Sequence, residues 1–247
     1  MKRWAVGLLA SALVVAPAAG QDKAEDVVKK AIEAHGGADV LKKLVAGTAS
    51  MKGKLSIGGN EVPVTGTQAY QLPGKMRQEF TIDAMGNKLT FRVIVNGDKV
   101  TQTVNGMPVP PMPGAADEAK QAVILQDVSQ LVPLLDKSRF TISAEKDAMV
   151  DGKPAAVVLV KAKGLNDTRV YFDKQTGYMV KTLRKGLNLE GKEVEEATVN
   201  SNFEKVMGVV VPKKAVVTHD GKPFMTAEVT EYKLAEKLDP KLFTTAD

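Results

Sequence analysis

The sequence has no cysteine, two histidines and one tryptophan in 247 residues. Without cysteine there is no disulfide framework and no thiolate nucleophile or metal ligand. With only His35 and His219, a metal site has at most two imidazoles to draw on. No Gly-x-Ser-x-Gly elbow and no glycine-rich phosphate loop occurs. After residue 20, no apolar run reaches the roughly 20 residues needed to cross a bilayer as a helix. Charge of one sign is also scarce. Lys and Arg number 34 against 29 Asp and Glu, a net +5, too small and too scattered an excess to favour nucleic acid. What remains is a composition 44% hydrophobic and 26% charged, that of an ordinary globular protein. A chain of this length buries about 70% of its unfolded surface, so it needs no metal or disulfide for stability.

The first twenty residues have the order of a secretory signal peptide. Lys2 and Arg3 give a basic start, Trp4 to Val15 are apolar, and Ala16-Pro17-Ala18-Ala19-Gly20 are small. Cleavage after Gly20 leaves Gln21 as the mature N-terminus and removes the only tryptophan. No cysteine follows the small residues, so the chain is not itself acylated. Residues 21–247 then read as a single exported domain, with no repeat and no linker.

Within it, Asp22 and Glu25 form a capping box, and Val28, Ala31 and Ile32 follow at helical spacing until Gly36-Gly37. A second short helix is predicted over Ala38 to Leu44. From Gly47 the period becomes two. Met76, Gln78, Phe80 and Ile82 alternate with Arg77, Glu79, Thr81 and Asp83, and Leu89, Phe91, Val93 and Val95 form a second such series. Turn signals at Gly58-Gly59-Asn60, Pro73-Gly74, Gly86-Asn87, Asn96-Gly97 and Asn105-Gly106, and again after residue 150, are spaced as in an antiparallel meander. Four prolines at 108, 110, 111 and 113 end the first run of strands. A helix is predicted from Ala115 to about Val132, with Ile124, Val128, Leu131 and Leu135 on one stripe, and strands resume from Arg139 to near Lys233. The order is helix, five strands, helix, about seven strands. Such a sheet covers its apolar face by curling around the helices.

Several phrases in this order resemble the LolA/LolB-like family of periplasmic lipoprotein carriers. They are Ala34-His35-Gly36-Gly37, Leu72-Pro73-Gly74-Lys75-Met76-Arg77, Val95-Asn96-Gly97-Asp98-Lys99, Tyr171-Phe172-Asp173-Lys174-Gln175-Thr176-Gly177 with Val180-Lys181, and Asp239-Pro240-Lys241-Leu242-Phe243. The resemblance implies a mainly β (α+β) fold, a half-open antiparallel β-barrel of about eleven strands with a helical lid over a cavity for acyl chains. It also implies no catalysis, no metal and no cofactor. In those carriers an arginine before the proline of the second strand helps latch the lid, and tryptophans stand in the sheet. Here Leu72 precedes Pro73 and the mature chain has no tryptophan.

The candidate chemistry is sparse. His35, at a helix end, reads as a structural cap, and His219 as a solvent-facing turn residue. Glu190, Glu193, Glu195 and Glu196 around Lys192 read as a solvated strand face. The Asn166-Asp167-Thr168 sequon is too short a pattern to carry weight. The apolar residues Met76, Phe80, Ile82, Leu89, Phe91, Val93, Ile124, Val128 and Leu131 are a packed core on periodicity alone. With the resemblance they become the wall and lid of an acyl-chain cavity, and the adaptable methionines suit that role. The expected protein is a periplasmic, non-catalytic, monomeric lipid or lipoprotein carrier, with membrane donor and acceptor proteins as further partners and no nucleic acid. The alternative is an envelope β-module with a packed core and no lipid, binding a protein through a strand edge.

Overall fold

The computed structural model describes residues 18–84 and 86–244. Two helices, α1 (Ala18–Ala34) and α2 (Ala38–Lys43), precede strands β1 (Ala46–Ile57), β2 (Asn60–Gln71), β3 (Lys75–Ala84), β4 (Asn87–Asn96), β5 (Lys99–Val104) and β6 (Met107–Pro108). After α3 (Ala115–Ser129) and a 3₁₀ turn (Val132–Leu135) come β7 (Phe140–Ala144), β8 (Ala148–Val150), β9 (Lys153–Ala162), β10 (Leu165–Asp173), β11 (Met179–Leu187), β12 (Glu193–Val206), β13 (Val209–His219) and β14 (Lys222–Ala235). A second 3₁₀ turn, Pro240–Phe243, ends the described chain.

All fourteen strands of the described residues belong to one antiparallel sheet that departs from chain order at two places: β1 pairs with β14 from Ala46↔Ala235 to Leu55↔Met225, and β9 pairs with both β7 and β8. Strands β6 and β7 stand at opposite ends of the order, so the sheet is half-open. It has more strands than the eleven the resemblance implies, partly because two very short ones flank the irregular segments. β6 pairs only Met107 and Pro108 with β5 before the prolines run out of N–H donors. β8 pairs three residues with β9.

The helices differ from expectation at their ends. The described part of α1 is helical from Ala18 onward, so Asp22 and Glu25 of the predicted capping box lie within the helix. Of the predicted signal peptide, residues 1–17 lie outside the described residues. The helix stops where predicted. Gly36 and Gly37 take positive φ, and the Gly37 amide bonds back to the Ile32 carbonyl at 2.9 Å. α3 ends before Val132 because Leu131 takes φ 62° and ψ −48°, and the Val132 N–H closes a γ-turn onto the Gln130 carbonyl at 2.6 Å.

The main core lies where α1 and α2 meet the C-terminal strands. Val28, Ala31 and Ile32 of α1 and Leu41 of α2 pack with Phe140, Ile142, Val158, Val160, Val170 and Phe172. Val128 of α3 joins them, as do Leu131 and Leu134 just beyond it. Each of the larger side chains among them contributes about 1.5–3 kcal/mol by leaving water. A smaller cluster joins Val123, Ala119 and Ala122 of α3 to Met76, Val93, Val95 and Val100. On the opposite face of β2–β4, Phe243 of the final turn packs on Ala69 and Ile94.

Candidate functional site

Residues directly opposed in an antiparallel ladder share a face. The pairs Tyr70↔Met76, Met76↔Val95 and Val95↔Val100 therefore mark one face of β2–β5. Because Met76 and Val95 pack on α3, this is the face turned towards the helices. Further along the same strands the pairings Gly66↔Phe80↔Phe91↔Val104 and Val64↔Ile82↔Leu89 continue that face, as do Gly53↔Ala227 and Leu55↔Met225 across β1 and β14. Two glycines lower its floor. A Cβ on Gly66 would stand 2.7 Å from the Phe80 ring, and one on Gly53 would stand 1.9 Å from the Thr226 carbonyl oxygen.

The nine apolar candidates thus divide by environment. Met76, Phe80, Ile82, Leu89, Phe91 and Val93 lie on this one face. Met76 is buried under α3 and Val93 is half-buried beside it. Phe80 and Ile82 are half-buried, and Leu89 and Phe91 remain 40% and 37% exposed. Val128 and Leu131, at 1% and 0%, sit inside the main core, with Ile124 packed against it.

Under the helices is a cavity of about 290 Å³, lined among others by Leu41, Leu125, Tyr70, Tyr232, Thr198 and Arg184. It is at the small end for a ligand pocket. Burial pushes the Tyr70 phenol up to about 12 and raises that of Tyr232 as well, so both hydroxyls stay neutral. The polar half of this lining was missed at the level of sequence. Its only signal there was the period-two placement of Tyr70 with Gln68 and of Tyr232 with Leu234.

A buried charge cluster ties α3 to the sheet. Arg184 of β11, 9% exposed, pairs with Glu118 of α3 at 3.0 Å and with Glu196 of β12 at 2.9 Å. His219 Nε2 lies 3.3 Å from Glu196, and its ring stacks on Phe224 at 3.8 Å. Two expectations are corrected here. His219 ends strand β13 with its side chain 11% exposed, instead of facing solvent in the turn. Glu196 points inward, because the β12 register places it opposite Arg184, whereas Glu190 and Glu193 remain exposed in ion pairs with Lys192 and Lys185.

Other polar groups fasten the rest of α3. The Asn166 amide donates to Gln121 at 2.9 Å, Gln68 donates to Gln126 at 3.2 Å, and Gln130 donates to the Leu44 carbonyl at 3.3 Å. Asp127 pairs with Arg139, yet burial outweighs the guanidinium and raises its pKa. His35 is structural, as predicted. Its Nδ1 lies 2.8 Å from the Ala31 carbonyl, and its own carbonyl accepts from Val210. Burial lowers its pKa.

No family model and no curated protein matches this sequence. Solved structures do match. Over 90% of this chain and 97% of the other, it superposes on an outer membrane lipoprotein-sorting protein domain from Vibrio parahaemolyticus, with TM-score 0.54 and 10% identity. A LolA superfamily protein from Nitrosomonas europaea matches over the same shares with TM-score 0.57 and 10% identity. The fold is LolA-like. A DUF1329 family protein from Desulfovibrio piger matches likewise, with TM-score 0.58 and 11% identity over 90% and 97% of the two chains. Within this LolA-like fold, the half-open sheet and the helix in its concavity are as the sequence resemblance implied. Arg184 ties the helix down from β11, whereas Leu72 occupies the place of the arginine expected before Pro73.

Proposed function

We propose that the protein is an exported, non-catalytic carrier that holds the acyl chains of a lipoprotein or another lipid, for delivery towards the outer membrane. The observation that carries this reading is the uncovered apolar stretch of the helix-facing sheet. There Phe80, Ile82, Leu89 and Phe91 share one face with the glycine floor of β1 and β2. Chain contacts fall on these four and on Val93, and lifting α3 adds Met76 and Ile124. Val128 and Leu131 anchor the end of the lid.

Each buried CH₂ is worth about 0.8 kcal/mol, so a dozen carbons gain on the order of 10 kcal/mol before ordering costs. Lifting α3 breaks the Glu118–Arg184 pair and the glutamine hydrogen bonds, each of the latter worth about 0.5–1.5 kcal/mol. A bound chain that replaces the apolar contacts of α3 offsets that loss, so lid position is coupled to occupancy. The lipoprotein-sorting domain and the LolA superfamily protein that share this fold support the same reading.

The test is organic extraction of the purified protein with mass spectrometry, together with uptake of a fluorescent fatty acid. Lipid is expected in the extract. Phe91→Asp, which puts a charge on the open face, should reduce uptake at least about tenfold, while Lys192→Ala on the β11–β12 hairpin should leave it unchanged. No lipid and no uptake by the unaltered protein would refute the carrier and leave the packed β-module that binds a protein partner.

A further inference from the structure

The exposed apolar side chains are not spread evenly over the surface. Among the described residues, the large hydrophobic side chains classed as exposed are Ile57, Leu89, Phe91, Met107, Met112, Leu189, Met149 and Met207. The sheet register fixes the end at which each lies. Because β1 to β5 form a meander and β14 pairs antiparallel to β1, the β1–β2, β3–β4, β5–β6, β11–β12 and β13–β14 hairpins all point to one end. Ile57, Leu89, Met107 and Leu189 sit at or beside four of these hairpins, and Phe91 is one face position further in than Leu89. Met112 joins them, since the Gly114 that follows it abuts Leu187 at the last of the β11 pairings. Met207 lies in the β12–β13 turn and Met149 beside the β8–β9 turn, both at the other end.

We infer that this hairpin end docks on the surface of a lipid bilayer carrying anionic headgroups. The inference rests on the carrier reading, because it gives the open face a source of lipid. Three observations favour a bilayer. The apolar side chains of this end run directly into the uncovered face through Leu89 and Phe91, so an acyl chain passes inward without crossing water. The strap that bears Met107 and Met112 holds prolines at 108, 110, 111 and 113, and each removes an N–H that would otherwise lose its water at a lipid interface. Among the described residues, the exposed Lys88, Lys163 and Lys222 at the β3–β4, β9–β10 and β13–β14 hairpins of the same end make no ion pair, whereas Glu61, Asp167, Glu190 and Glu193 there are each paired with another lysine. They face lipid phosphates when the methionines insert.

Flotation with vesicles of three parts phosphatidylcholine to one part phosphatidylglycerol tests this. The unaltered protein floats, and raising the salt weakens the association. Met107→Asp, Met112→Asp and Leu189→Asp together reduce flotation at least about tenfold, as do charge reversals at Lys88, Lys163 and Lys222. Met149→Asp with Met207→Asp at the opposite end leaves flotation unchanged. All of these positions are exposed, and matching far-ultraviolet circular dichroism and melting curves show that the variants fold. Fluorescent fatty-acid uptake is measured in parallel without vesicles. Uptake without flotation overturns the docking end and leaves the carrier standing. Flotation without uptake refutes the carrier and supports the docking end. Flotation equal in the two methionine sets overturns the assignment of the surface.

Discussion

Replacing Arg184 by methionine tests how firmly α3 is held in the sheet. The guanidinium is 9% exposed and lies about 3 Å from Glu118 and Glu196, whose side chains are each 21% exposed. At that separation, and at an effective dielectric of about 20, each pair attracts by roughly 5 kcal/mol. Most of this is offset by the desolvation of three charged groups, and Nε of Arg184 has no acceptor of its own. Removing only the arginine is a different operation, because two carboxylates are left facing each other without a cation. Breaking a buried pair in this way costs about 3–5 kcal/mol, and the partial exposure of both carboxylates puts the value near 3. In a chain of this length about 1 kcal/mol moves Tm by 2–4 °C, so Arg184→Met should melt about 6–12 °C below the parent. Hydrogen exchange should quicken over residues 115–122. Adding Glu118→Gln and Glu196→Gln removes the stranded charges, and this triple variant should recover to within about 1 kcal/mol of the parent. A single variant within about 1 kcal/mol of the parent, or a triple variant no more stable than the single, would refute the reasoning.

Two further outcomes follow from burial. Leu131 is fully enclosed in the main core, so Leu131→Ala should lower stability by about 3 kcal/mol in urea denaturation; a loss under about 1 kcal/mol would show that the site is looser than its packing implies. His35 is held below its usual pKa by burial, so above about pH 6.5 both folded and unfolded states carry a neutral imidazole. As pH falls below that value the unfolded chain takes up a proton first, and stability is lost until the lowered native pKa is reached. Urea midpoints should therefore fall with pH across that window, and more steeply than in His35→Gln; equal slopes would count against the linkage.

Much of this was legible in the sequence for a physical reason. The period of two in Met76–Ile82 and Leu89–Val95 places those side chains on one face whichever strands neighbour them, and glycine pairs mark helix and hairpin ends through their own backbone preferences. Which apolar residues are core and which are open was not legible. Val128 and Phe91 both sit in regular apolar patterns, and their different fates depend on where α3 lies across the sheet. The role of Arg184 was hidden similarly: Glu196 meets it through the β11–β12 register, but Glu118 comes from α3 and meets it only once that helix lies across the sheet. His219 looked like a turn residue because Asp220-Gly221 follows it, but the register carries β13 one residue further and turns the ring onto Phe224. Asp22 lies inside α1, since the described helix already runs from Ala18.

The junction of β1 with β14 also governs the order in which the molecule is built. Most ladders join strands next to each other in the chain and form as hairpins within microseconds, yet the β1–β14 ladder waits for nearly the whole polypeptide. Until it closes, β1 to β6 are a free meander with Phe80 and Phe91 on a bare surface and a naked strand edge at β1. A chain that emerges N-terminus first carries that sticky half for as long as its C-terminal strands take to arrive. Ladders of such long sequence separation fold slowly, so the closing of β1 on β14, more than any single hairpin, sets how long that apolar surface stands bare.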